Sequence, residues 1–233
     1  MVYTHYMKIV CTADFQGLVN KVNPELIPGG DMFIVAGDIG GWGTLGEMED
    51  FNNWLGKLPH KYKLVVCGNH DLDLGRGMDG HEIFTNATYL QDELVEIEGL
   101  RIYGSPASDM NELFYTVPWV AFSKPSYLEQ VAEDIPENLD ILITHGPCYG
   151  ILDKLKDGKS VGSKDLRRAV LAKRPQHHVF GHIHESHNQT NLWGINFINA
   201  ALCSERNEIL KPDGSLYYDP IVIELAPKPE PVA

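Results

Sequence analysis

The chain has 233 residues, with 19 Lys and Arg against 32 Asp and Glu, for a formal charge of −13 at pH 7. Hydrophobic residues make up 43% and charged ones 22%, the balance of a globular chain long enough for a sizeable core. That charge excludes a protein that tracks nucleic acid or anionic membrane by bulk attraction, although a local pair of cations can reverse the sign of one pocket.

In chain order, short apolar runs end at polar residues. The run 7–13 is followed by Asp14 and Gln16, 31–37 by Asp38, and 63–68 by Asn69, His70 and Asp71. Between the last two, 44–58 reads as a helix. Thr44 and Glu47 stand at capping-box spacing, and Met48, Phe51, Leu55 and Leu58 share one face. The stretches 75–88 and 105–118 read as long loops, and a strand is expected over 101–105. A helix from Ser126, with Glu129 again at capping-box spacing, runs to about Ile135. The strand 140–146 carries His145, a helix over 163–173 stops before Pro175, and 177–182 ends at the pair His182 and His184. Strands over 194–200 and 220–225 close the chain. Their Val/Ile/Phe-rich, continuously apolar character suits sheets covered on both faces, so an α/β layer fold in one domain over 1–225 is expected. The proline-rich end, 226–233, reads as disordered.

Cys11, Cys67, Cys148 and Cys203 are widely spaced with no CxxC, which points to small core residues rather than a zinc knuckle or disulfide framework. No signal-peptide pattern opens the chain and no 18-residue apolar run occurs, so the expected location is cytoplasmic.

Asp14, Asp38, Asn69, His70, Asp71, His145, His182 and His184 all follow strand runs, where open α/β sheets bind their ligands. Carboxylate, amide and imidazole together suit Mn, Fe, Zn or Co. One aspartate after a strand is usually a turn former, and GNHD and GHIH are each only moderately specific. The ordered series D…GD…GNHD…H…GHxH is far more so.

That series resembles the calcineurin-like metallophosphoesterase superfamily. The runs IYGSP (102–106), DILITHGPCYGILD (140–153), VFGHIHE (179–185) and INFINA (195–200) are similar to MPPED-type metallophosphodiesterases, relatives of the class III cyclic-nucleotide phosphodiesterases. The resemblance covers about residues 7–225 and implies an αββα sandwich of two mixed β-sheets flanked by helices. It implies a first divalent ion on Asp14, Asp38 and His184, and a second on Asp38, Asn69, His145 and His182, with Asp38 bridging. Two such ions, ~3.5–4 Å apart, share a hydroxide that attacks phosphorus in line. Manganese is the first choice, with Fe, Zn, Co and Mg as alternatives. His70 then protonates the leaving alkoxide, with Asp71 fixing its orientation. The implied activity is a metal-dependent phosphoesterase, preferring diesters, on a small substrate such as a nucleotide. No membrane or stable nucleic-acid partner is implied, and oligomeric state has no mark in the sequence.

One position departs from the family. Its first block reads DxH, and this chain has Gln16 in place of the histidine. Three outcomes stay open: ligation through the amide oxygen, a water in its stead with a weak first ion, or binding at the second site only. Gln16 also speaks for an alternative, a binding scaffold that keeps the fold and has lost its chemistry.

Other features are set aside. GDIGGWGTLG (37–46) lacks the GK[ST] of a phosphate loop. Of His177 and His178, one is expected buried and one exposed. His5, His60, His81 and His187 are expected to be solvated, with reach to substrate left open for His81 because it lies in a long loop. Trp119 and Phe122 are expected to pack rather than stack on a base, and Arg206 and Lys211 to be solvated.

Overall fold

The computed structural model describes residues 6–109 and 122–226. His5, Trp119, most of the expected loop 105–118 and the tail after Ala226 lie outside the described residues. The strands are β1 (Met7–Thr12), β2 (Met32–Ala36), β3 (Tyr62–Val66), β4 (Thr88–Tyr89), β5 (Glu93–Ile97), β6 (Leu100–Ser105), β7 (Ile141–Thr144), β8 (His177–Phe180), β9 (Asn188–Leu192), β10 (Ile195–Asn199) and β11 (Ile221–Leu225). The helices are α1 (Leu45–Leu55), α2 (Leu72–Gly75), α3 (Gly80–Ile83), α4 (Pro125–Asp134) and α5 (Lys164–Lys173).

Two mixed sheets form, in the orders β11-β1-β2-β3-β4 and β5-β6-β7-β8-β10-β9. The central strands run parallel, while β11, β5 and β9 are antiparallel additions at the edges. Because strand side chains alternate, each central strand feeds two cores. Ile9, Cys11, Ile34 and Val66 of one sheet meet Ile102, Ile143, Val179 and Ile198 of the other in an apolar layer between the sheets. On one outer face Val10, Phe33 and Val65 pack under α1, and on the other Leu142, Phe180 and Phe197 pack under α4 and α5. This is the expected αββα sandwich of two mixed β-sheets flanked by helices.

Helix α1 begins as its sequence predicts. The Thr44 hydroxyl accepts the Glu47 N–H, and the Glu47 carboxylate accepts the Thr44 N–H at 3.0 Å. Phe51 and Trp54 on its buried face meet Phe15 at centroid distances of 4.9 and 5.4 Å, edge-on contacts of about 0.5–1.5 kcal/mol each. Ser163 caps α5 as expected, its hydroxyl accepting the Leu166 N–H. Helix α4 differs: its N-cap is Lys124, two positions before the expected Ser126, with Pro125 as first helical residue and no capping side chain. Proline's fixed φ and missing N–H suit a first helical position and displace the Ser126–Glu129 signal. The expected loop 75–88 contains the short α3, capped by Asp79. His60 is buried rather than solvated, lying against Phe33 with Nε2 at 3.0 Å from the Pro28 carbonyl. His187 is half-buried, its ring stacked on Tyr218, and His81 pairs with Glu93 at the surface. Among the described residues no helix is long and apolar enough to cross a membrane.

His178 is the buried member of its pair, and its environment sets its tautomer. The Thr144 hydroxyl donates to the Gly146 carbonyl at 2.7 Å, so it accepts from His178 Nε2–H at 2.8 Å. Nδ1 is then left as the acceptor facing the Cys148 thiol at 3.7 Å. Burial pushes the ring's pKa down to about 3, so it stays neutral while the unfolded chain's histidine protonates near 6.5. The folded state therefore keeps this contribution in full above pH ~6.5 and loses it as pH falls toward 3, at up to about 1.4 kcal/mol per pH unit. Urea unfolding of the wild type should lose about 2–3 kcal/mol more between pH 7.5 and 4.5 than that of a His178→Gln variant. Parallel pH profiles would refute a neutral buried ring.

Candidate metal centre

The loops that leave β1, β2, β3, β7 and β8 carry Asp14 and Gln16, Asp38, Asn69 to Asp71, His145, and His182 with His184, all at one rim of the sandwich. Main-chain bonds knit them together. Asp14 N–H reaches the Gly37 carbonyl at 2.9 Å, Gln16 N–H the Asp38 carbonyl at 3.0 Å, and Gly181 N–H the His145 carbonyl at 2.9 Å. A bridge from Ala13 to Ala201 joins the two sheets beside them. Four of the side chains sit on left-handed backbone: Asp14 (φ 58°), Gln16 (51°), Asp38 (51°) and His182 (69°). Such residues are held against a local preference, and they cluster where side chains must be aimed.

Glycines provide the room. A Cβ at Gly37 would strike the His145 ring, one at Gly68 the Asp38 carboxylate, and one at Gly181 the Asp14 carboxylate. Each glycine precedes a candidate residue and makes space for another, from the adjacent strand at Gly68 and from the opposite sheet at Gly37 and Gly181. Their spatial role depends on strand order and on how the two sheets face each other.

Asp38, His145 and His182 offer ligand atoms that all lie within 4.8 Å of one another. His145 Nε2 stands 3.2 Å from Asp38 Oδ1 and 3.0 Å from Asn69 Oδ1. Beside this group, His184 Nε2 lies 3.2 Å from Asp14 Oδ1, and Asp14 accepts the His182 N–H at 3.0 Å. Gln16 Nε2 donates to Asp38 Oδ2 at 2.9 Å. All the expected metal positions are thus drawn together, with Asp38 in contact with Gln16, His145 and the His70 N–H.

Both outer histidines have their tautomers set from behind. His145 Nδ1 lies 2.9 Å from the Ala36 carbonyl and His184 Nδ1 2.9 Å from the Ser204 carbonyl. A carbonyl only accepts, so Nδ1 carries the proton and Nε2 faces the carboxylates. Burial opposes charging these rings, yet Asp38 beside His145 and Asp14 beside His184 outweigh it and raise each to about 9. His182 goes the other way, to about 4, through burial and the charge of His145. Burial also disfavours the Asp38 carboxylate, but the surrounding imidazoles hold it well below the usual range.

His70 is partly exposed. Its Nδ1 lies 3.0 Å from the Gly41 carbonyl, which leaves Nε2 toward solvent. Asp71 takes a different part from the expected one. Its carboxylate accepts N–H bonds from Gly68 (2.7 Å), Gly40 (2.8 Å) and Ile39 (3.3 Å), so it staples two loops and leaves ring orientation to Gly41. Burial and the charge of Asp38 raise it to about 7. Sequence reasoning missed two further supports. Glu47 accepts the Gly41 N–H at 2.9 Å as well as capping α1, and a Cβ at Gly43 (φ 60°) would collide with the backbone of His70 to Leu72.

The donor set fits a divalent cation. With Nδ1–H committed to carbonyls, a neutral His145 turns a lone pair on two oxygens. Only a second ring proton or a cation reconciles the three atoms. Gln16 Oε1 is buried without a partner at the same spot.

A family model described as calcineurin-like phosphoesterase matches residues 4–186. A UPF0046 protein of Caenorhabditis elegans is 36% identical over 222 residues, 88% of this chain and 73% of that protein. The human metallophosphoesterase domain-containing protein 1 is 34% identical over 251 residues, 94% of this chain and 71% of that protein. Among solved structures, TT1561 of Thermus thermophilus superposes with a TM-score of 0.57 at 15% identity, covering 84% of this chain and 89% of its own, a likeness of fold. With its motifs gathered at one rim and a family model spanning most of its length, the chain belongs to the calcineurin-like phosphoesterase family.

Proposed function

We propose that residues 1–225 form one domain that hydrolyses phosphate esters with two divalent cations, manganese foremost, and prefers diesters to monoesters. The observation that carries this reading is His145 Nε2 facing Asp38 Oδ1 and Asn69 Oδ1 at 3.2 and 3.0 Å, with His182 beside them. Asp38, Asn69, His145 and His182 would hold one cation, and Asp14, Asp38 and His184 the other. Cations there neutralise phosphate oxygens and lower the pKa of water toward neutrality.

The chain's own groups do the rest. Asp71 and Glu47 fix the loops that flank His70, and the Gly41 carbonyl holds its Nδ1 proton, so the imidazolium, protonated on both nitrogens, gives its Nε2 proton to the departing oxygen and is left neutral with Nδ1–H in place. An alkoxide needs that proton more than a phenolate does. The preference for diesters draws on the MPPED-type motifs and on charge. The groups that act most strongly on Asp38, His145, His182 and His184 are one another, with no Lys or Arg among them. A monoester's second negative charge would meet no Lys or Arg among these groups. A small phosphate ester such as a nucleotide suits the site, and four free, buried cysteines suit a reducing compartment such as the cytoplasm.

Protein stripped with chelator should hydrolyse bis(4-nitrophenyl) phosphate only after Mn²⁺ is restored, and faster than 4-nitrophenyl phosphate. Asp38→Asn should cost about 10²-fold or more. Silence with Mn²⁺, Fe²⁺, Zn²⁺, Co²⁺ and Mg²⁺ alike would defeat the proposal and leave the scaffold reading. His70→Ala should lower the rate on an alkyl diester by ~10²–10⁴-fold while sparing the nitrophenyl ester to within about tenfold. Equal losses on both esters would count against a proton donor.

A further inference from the structure

Gln16 sits where the two halves of the cluster touch, on a backbone that leaves it little choice. Its φ is 51°, and its own N–H and that of Gly17 are tied to the carbonyls of Asp38 and Ile39 at 3.0 and 2.9 Å. The side chain is 8% exposed. Nε2 donates to Asp38 Oδ2 at 2.9 Å, and Oε1 meets no donor. The carboxylate dictates this orientation. Turned over, the amide would set oxygen against oxygen at the same separation, an arrangement that only a cation between them could hold.

Two roles are chemically distinct. As a ligand, Gln16 would present Oε1 and add to the cation's binding. As a hydrogen-bond donor, it occupies the lone pairs of Asp38 Oδ2 that a bridging carboxylate needs. The observed bond is of the second kind. Its unpaired Oε1 means that nothing else locks the side chain, so the bond can be given up.

We propose that Gln16 is a positioning residue, a releasable clamp on Asp38 that an incoming cation must displace. The clamp holds Oδ2 in the metal-free protein and weakens cation binding at the Asp14–Asp38–His184 half. The half built from Asp38, Asn69, His145 and His182 therefore fills first. This rests on the metal-centre reading above and adds to it an order of filling. A charge-assisted bond surrendered on binding corresponds to a penalty of about 10- to 100-fold in affinity.

The sign of one substitution separates the roles. Calorimetric titration of the chelator-stripped full chain with MnCl₂ should show a tight step followed by a weaker one. Gln16→Met, close in volume but without amide N–H or carbonyl, should tighten the weaker step by about tenfold or more. It should also lower the melting temperature of the metal-free protein, which loses the clamp. Weakening of that step would make Gln16 a ligand through Oε1, and no change would make it a bystander; either overturns the clamp. Should that variant fail to fold, NMR of the wild-type side chain separates the same roles. On titration with diamagnetic Zn²⁺, the Gln16 amide protons should leave their hydrogen-bonded shift and exchange faster with water. Unmoved resonances in the loaded protein would overturn the clamp. The absence of any binding heat would instead defeat the metal-centre reading itself.

Discussion

An imidazole nitrogen that faces two oxygens, with its other nitrogen already committed to a carbonyl, is the constraint around which this rim is built. His145 cannot satisfy Asp38 and Asn69 as a neutral ring, and the fold prevents it from turning away, because Ala36 holds it from behind and Gly37 lies flat against it. A similar construction, with one carboxylate oxygen in place of two facing oxygens, recurs at His184 between the Ser204 carbonyl and Asp14. Each pair balances as an ion pair without a cation. A cation held by these residues would take the place of the ring proton and would offset the cost of burying two carboxylates.

That arrangement explains why the acidic chain can still suit an anionic substrate. A net charge of −13 repels phosphate at a distance, and no Lys or Arg stands among the strongest electrostatic neighbours of the cluster. Positive potential at the rim must therefore come from imidazolium or from bound cations. Both are local, and neither alters the negative mean field of the rest of the surface.

The central strands could be read from the sequence because burial on both faces leaves them continuously apolar, and α1 and α5 because their caps are local. Apart from β11, the edge strands could not. β5 (ELVEI) and β9 (NQTNL) alternate between half-buried and exposed positions or are largely polar. They form because two-residue hairpins fold them onto β6 and β10, with Glu98–Gly99 and Trp193–Gly194 all at positive φ. Those turns lack the Asn or Asp that usually announces them. His60 was misplaced for a related reason: Phe33 and the Pro28 carbonyl reach it from 27 and 32 positions away, and nothing nearby in sequence records them. At the rim, residue types were legible because each follows its own strand. Spatial roles were not, because the glycine that makes room for His145 precedes Asp38, and the one that makes room for Asp14 precedes His182.

The GNHD segment shows how a motif divides its labour. Asn69 turns its oxygen on His145, His70 keeps a free Nε2, and Asp71 faces backward to bind three main-chain N–H groups. Two of those donors, Ile39 and Gly40, directly follow Asp38. Asp71 therefore fixes the distance between the loop that carries Asp38 and the loop that carries His70. Loss of a buried carboxylate with three backbone partners strands all three donors, a penalty larger than one hydrogen bond's net worth. His70 gains its orientation from this frame as a whole, since Gly41, whose carbonyl holds the ring, is pinned in turn by Glu47 from the first turn of α1. The orientation of the His70 ring is thereby coupled to the capping of a helix whose other face is buried against Phe15.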